Sequence, residues 1–162
     1  MLLDTCVLID YFRRHAPACS FIENLGDTIT LSAMTVAELY RGVRPQEMDM
    51  LEFFLSQCTI LPVNKEIAKI GGLIEKQYAK SHGTDMVDAI IAATAQELNV
   101  RLVTLNTKHF PMLTNVLKPS KNKAPTLRIV ESEGFALINS RDFNAHFDCA
   151  LIYGSIARGG KP

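Results

Sequence analysis

The sequence lacks the usual cysteine patterns. None of Cys6, Cys19, Cys58 and Cys149 forms a C-x-x-C pair, and no histidine stands at a zinc-like offset from them. That excludes a zinc ribbon or a dithiol redox motif and leaves buried, reduced thiols. Net charge is also missing: formal charge at pH 7 is zero, which excludes a strongly basic nucleic-acid wrapper. A local basic rim around an acidic site stays open. No apolar run approaches the ~18–20 residues of a membrane span. The apolar start MLLDTCVLIDYF is interrupted by Asp4 and Asp10 and follows no basic stretch. It makes a poor signal peptide, so the expected location is cytoplasmic, with no membrane partner. Internal repeats are absent too. What is present is 162 residues that are 48% hydrophobic, enough for one domain with a real core.

Residues 1–119 read as strands alternating with helices. The apolar run 2–7 suits a strand buried on both faces, with helices expected at 8–14 and 18–25. A second strand is expected at 28–32. Ser32 can cap a helix over 33–41, which Gly42 is placed to end. Periodicity predicts a helix over 47–56 with Met50, Leu51, Phe54 and Leu55 on one side. A third strand follows at 59–63. The clearest amphipathic helix is 65–80, weakened by Gly71-Gly72 but open there to a close neighbour. The nearly all-apolar helix 86–98 suits packing inside the fold or at a dimer interface. Strands at 101–104 and 116–117 complete the pattern. Strands separated by helices imply an α/β fold, a parallel sheet of four to five strands with helices on both faces.

The last 43 residues differ. Residues 118–125 (KPSKNKAP) read as a linker or exposed turn, followed by short apolar runs and a glycine-rich end. Residues 1–119 carry 11 basic and 13 acidic side chains, residues 120–162 carry 6 and 4. The expectation is one domain over 1–119 and an extension of unknown role over 120–162, which either adds β-structure or is partly disordered.

In open parallel sheets the site lies beyond the carboxyl ends of the strands, and Asp4 and Asn106 fall at or just past two of them. A carboxylate in the apolar run 2–7 is costly to desolvate without a partner or a metal; the alternative is that Asp4 caps the next turn. Glu38, mid-helix in TVAELYRG, is either a solvated surface residue or part of a site, and its apolar neighbours favour the second. Asp85 and Asp88, three apart at a helix start, share one face. Capping by Thr84 or Asp85 explains Asp85; Asp88, before the packed AIIAATA run, is harder to dismiss. Asn106 is either a turn residue or an oxygen donor, and Thr104 can hydrogen-bond a neighbouring carboxylate. Carboxylates brought together repel unless a divalent cation neutralises them, and oxygen-only ligands select Mg²⁺ or Mn²⁺. Such an ion activates water and stabilises a phosphoryl transition state.

The chain resembles the PIN-domain nucleases, most closely the VapC-like toxins of toxin–antitoxin pairs. The resemblance rests on LLDTCVLIDYF at 2–12, SAMTVAELYRG at 32–42, MVDAIIAATAQELNVRLVTLNTKHF at 86–110 and NVLKP at 115–119. It implies a PIN-like parallel sheet and metal-binding Asp4, Glu38 and Asp88. It also implies a fourth acidic position in the segment around residue 106. Asn106 and His109 stand there, so no carboxylate does, and Asp85 is a candidate to supply part of the charge. Cys6 occupies a position where a small polar residue is common. The resemblance further implies an RNA substrate, a homodimer, and a cognate antitoxin that inserts a segment into the acidic groove. Arg13, Arg14, Arg41 and Arg44 are candidates for holding phosphates, the alternative being ordinary surface charge. The activity implied is Mg²⁺- or Mn²⁺-dependent endoribonuclease action by the toxin of a type II pair. Two alternatives are an RNA-processing nuclease without an antitoxin and a catalytically weak RNA- or protein-binding module. The family pattern ends near Pro119. LIYGSIARGG in the tail is similar to the opening of a nucleotidyltransferase motif, but the acidic pair that motif needs does not follow.

Overall fold

Short apolar runs become strands and capped segments become helices. The computed structural model describes residues 1–25 and 28–119. β1 (Leu2–Leu3) leads into α1 (Thr5–Phe12) and α2 (Ala16–Glu23). β2 (Thr30–Ser32) leads into α3 (Ala33–Gly42), a 3-10 turn at Pro45–Glu47 and α4 (Met48–Ser56). β3 (Thr59–Leu61) is followed by α5 (Lys65–His82) and α6 (Met86–Glu97). Then come β4 (Leu102–Val103), a 3-10 turn at Thr107–His109 and β5 (Val116–Leu117). The five strands form one parallel sheet in the order β3-β2-β1-β4-β5. This is the expected α/β architecture at its upper strand count.

The two-residue period of the strands builds two cores. Leu2 and Leu102 join Ile67, Ile74, Ile91 and the α6 alanines on one face. Leu3 and Val103 join Val7, Leu8, Phe21, Leu51 and Phe54 on the other. The chain steps from β1 out to β3, then crosses back past β1 to β4. That change of direction puts a crevice at the carboxyl ends of β1 and β4.

Side chains in the sequence set the helix ends. Ser32 Oγ accepts from Met34 N–H at 3.3 Å, Asn64 Oδ1 from Ile67 N–H at 2.8 Å, and Asp85 Oδ1 from Asp88 N–H at 2.8 Å. Gly83 closes α5 in the left-handed region at φ 68°, where a Cβ is strained. The α6 alanines are buried in the fold itself. At Gly71 an added Cβ would lie 2.6 Å from Ile90 Cδ1 and 3.3 Å from Ile90 Cα, whereas Gly72 faces open space. Only the first glycine of the pair therefore serves the close approach of α5 to α6.

Several expectations need correction. β1 stops at Leu3 and a helix starts at Thr5, so the run 2–7 is not one strand. A short buried apolar run has the same composition in either state. Gly42 is the last residue of α3, one later than the expected end at 41, and the C-cap is Val43 in extended conformation. β3 stops before Pro62, whose missing N–H cannot extend the ladder. Cys6, Cys19 and Cys58 are free thiols, half-buried rather than fully enclosed. The readings on residues 120–162, including the linker beyond Pro119 and Cys149, lie outside the described residues. Among the described residues, no helix is long and apolar enough to cross a membrane.

Candidate active site

The register Leu3↔Val103 makes Asp4 and Thr104 the next residues along two adjacent strands. Asp4 is buried, 5% exposed. Its Oδ2 accepts from Thr104 Oγ1–H at 2.6 Å and from Cys6 Sγ–H at 3.0 Å. Its side chain makes no cap hydrogen bond to α1, which removes the capping alternative. Both donors converge on Oδ2, leaving Oδ1 without a hydrogen bond from the described residues. Cys6 also accepts from Leu105 N–H at 3.3 Å, and Thr104 Oγ1 accepts from Asn106 N–H at 2.9 Å. Burial first, and the negative charge of Asp4 second, push the Cys6 thiol up to about 12. The thiol therefore stays protonated and acts as a donor.

Asp88, in the first turn of α6, faces the same crevice. Burial raises its carboxyl above the ordinary aspartate range, and the charges of Asp85 and, more weakly, Asp4 push in the same direction. His109 opposes them through charge and through a 2.9 Å contact from Nδ1 to Asp88 Oδ2. Asp85 is the α6 cap, as the simpler account holds, and it adds negative charge beside Asp88. Glu38 is half-buried, with Thr5 Oγ1–H donating to Oε2 at 2.6 Å and Arg41 Nη2–H to Oε1 at 3.2 Å. Among the described residues its hydrogen bonds reach Asp4 only by way of the neighbouring Thr5.

Asp4 and Asp88 are thus brought within electrostatic reach, with Thr104 on Asp4 and Asp85 on Asp88. Glu38 stands one residue further along. Asn106 is exposed, and its backbone rather than its amide is engaged. Arg13 and Arg44, with Glu38, line a cavity of about 250 Å³ walled by Ile9, Phe12 and Leu39. Arg41 pairs with Glu38 at its edge, while Arg14 is not among the cavity residues. The partners that sequence reasoning missed are Thr5, Thr84 and the donor roles of Cys6 and His109. Adjacency to Asp4 was the available signal for Thr5 and Cys6. The contact of His109 with Asp88 spans 21 residues and left no local trace.

The donor chemistry fits a hard divalent cation. Asp4 and Asp88 each have one oxygen held by protein and one without a hydrogen bond among the described residues. Burial first, and repulsion from Asp85 and Asp4 after it, raises Asp88; the repulsion is the part that a cation relieves. No group of three or more His, Cys, Asp or Glu side chains able to hold a metal occurs among the described residues. The fit is to an ion taken by one or two carboxylates with water completing its shell, the common way Mg²⁺ is bound.

The PIN domain family model matches residues 1–112. Ribonuclease VapC19 of Mycobacterium tuberculosis is 38% identical over 122 residues, covering 73% of this chain and 98% of the relative. Ribonuclease VapC10 of the same species is 30% identical over 122 residues, covering 74% and 92%. Among solved structures, a toxin–antitoxin complex from Klebsiella pneumoniae superposes with a TM-score of 0.65 at 28% identity, covering 74% of this chain and 98% of that one. With its sheet order and these relatives in agreement, the chain belongs to the PIN-domain family and is VapC-like within it.

Proposed function

We propose that the chain is a Mg²⁺- or Mn²⁺-dependent endoribonuclease, the toxin of a type II toxin–antitoxin pair acting in the cytoplasm. The observation that carries this reading is the buried Asp4 within electrostatic reach of an Asp88 whose carboxyl is raised by burial first and by the neighbouring charges of Asp85 and Asp4 second. The names of the relatives, ribonucleases VapC19 and VapC10, and the Klebsiella toxin–antitoxin complex support the substrate class and the antitoxin partner.

When bound, the divalent ion supplies an acidified water and charge neutralisation at the scissile phosphate. Asp4 and Asp88 would hold it through the oxygens that carry no hydrogen bond among the described residues, and Glu38 would contribute through water. Thr104 and Cys6 fix the Asp4 carboxylate. The exposed Asn106 amide orients water. Arg13, Arg41 and Arg44 hold RNA phosphates at the rim beside Glu38, and Arg14 contributes only long-range charge. An antitoxin segment with an apolar stretch and a basic end suits the cavity beside Glu38, and a homodimer is the expected assembly.

The test is cleavage of cellular RNA by purified protein with Mg²⁺ or Mn²⁺, compared with excess EDTA and with Asp4→Asn. Cleavage should require the ion and vanish in the variant. Full cleavage in EDTA, or by Asp4→Asn, would remove the mechanism. A second reading, a catalytically weak RNA- or protein-binding module, is favoured by the absence of carboxylates at 106 and 109. Calorimetric titration showing no Mn²⁺ binding at millimolar concentration would select it.

A further inference from the structure

The segment after β4 reaches both crevice acids. Thr104 at its start holds Asp4 Oδ2, and His109 at its end lies 2.9 Å from Asp88 Oδ2. His109 is fixed at its backbone on both sides. Its N–H donates to the Asn106 carbonyl at 3.0 Å, and its own carbonyl accepts from Thr84 Oγ1–H at 2.7 Å. Thr84 is itself buried. The His109 side chain is 23% exposed, and Asp88 is its only hydrogen-bond partner among the described residues. The bond to Asn106 is the turn's own; what a histidine serving only as a turn residue has no need of is a ring turned onto a half-buried carboxylate.

We propose that His109 is a positioning residue for Asp88, an assignment that rests on the metal-dependent reading above. An ionised carboxylate can only accept, so the proton of the contact sits on Nδ1 and the bond engages Oδ2. The terminal torsion of an aspartate is broad and intrinsically loose. A donor from an anchored ring narrows it and reserves Oδ1 for the cation. Thr104 does the same for Asp4, so one six-residue segment, 104–109, sets both acids. His109 thereby takes an orienting role at a position where a carboxylate would have added charge. Partners that orient ligating carboxylates commonly contribute about 10–100-fold to metal affinity.

The test is Mn²⁺ affinity of the full chain, read by the loss of the free-ion signal in electron paramagnetic resonance. Wild type is compared with His109→Ala, His109→Asn and His109→Gln, with circular dichroism confirming the fold of each. An asparagine amide can reach the place of Nδ1, whereas a glutamine amide reaches the place of Nε2. His109→Ala should weaken Mn²⁺ binding about 10-fold or more. His109→Asn should recover most of that loss, and His109→Gln should not. A general packing role would move Asn and Gln alike. Wild-type affinity in His109→Ala, or equal rescue by Gln and Asn, overturns the assignment and leaves the metal reading standing. No Mn²⁺ binding by the wild type overturns both.

Discussion

At Asp88, burial and two neighbouring carboxylates oppose ionisation. A carboxyl raised in the folded state holds its proton more tightly there than in the unfolded chain. Folding stability attributable to it therefore falls as pH rises through the window between the ordinary aspartate value and the raised one. Asp88→Asn should accordingly melt above wild type at pH 7 in metal-free buffer, and the gap should close as pH drops through that window. Thermal melts across pH 3–8 check the sign; a variant less stable at pH 7 contradicts it. Thr104 carries the opposite kind of burden. Thr104→Val keeps the shape but leaves Asp4 Oδ2 with only the Cys6 thiol and strips the Asn106 N–H of its acceptor. A loss of about 1–3 kcal/mol in urea denaturation is expected, together with weaker Mn²⁺ binding.

At the scale of elements, the glycine pair in α5 provides its own control. Gly71→Ala gains helix propensity but drives a methyl into Ile90, flank and backbone together. Overpacking of this kind costs about 1–3 kcal/mol. Gly72→Ala meets nothing within 4 Å and should stabilise by up to about 1 kcal/mol. Opposite signs in paired denaturation curves are the expected result. The helices were the legible part of the sequence: Ser32 and Asp85 announce two of their starts by local chemistry, whereas the caps of α5, Asn64 and Gly83, came from the structure. β1 was not, because LLDTCV is apolar enough to be buried in either conformation. Asp4 stood out as the lone acid in that run. Thr104 was legible as a donor to some carboxylate, but not as the donor to Asp4, because the two are 100 residues apart and no periodicity encodes such a pairing. Glu38 was suspected from its apolar neighbours, but its engagement by Thr5 spans 33 residues and comes from the fold alone.

For the whole molecule, crowded acids make the native state the better host for a divalent ion. Anything that binds the folded form alone stabilises it by mass action, about 2.7 kcal/mol at one hundred times its dissociation constant. Millimolar Mn²⁺ should raise the melting temperature, EDTA should reverse the rise, and Asp4→Asn should show none. An unchanged melting temperature in saturating Mn²⁺ would contradict the two-acid binding mode. The strands that organise all this are only two or three residues long, so few ladder bonds fix their alignment. A slip of one residue between β1 and β4 would turn Leu2 and Leu3 toward the wrong layers and would part Asp4 from Thr104 in the same movement. Correct threading of the centre and competence of the crevice are therefore a single event, and a misaligned chain is denied its chemistry along with its core.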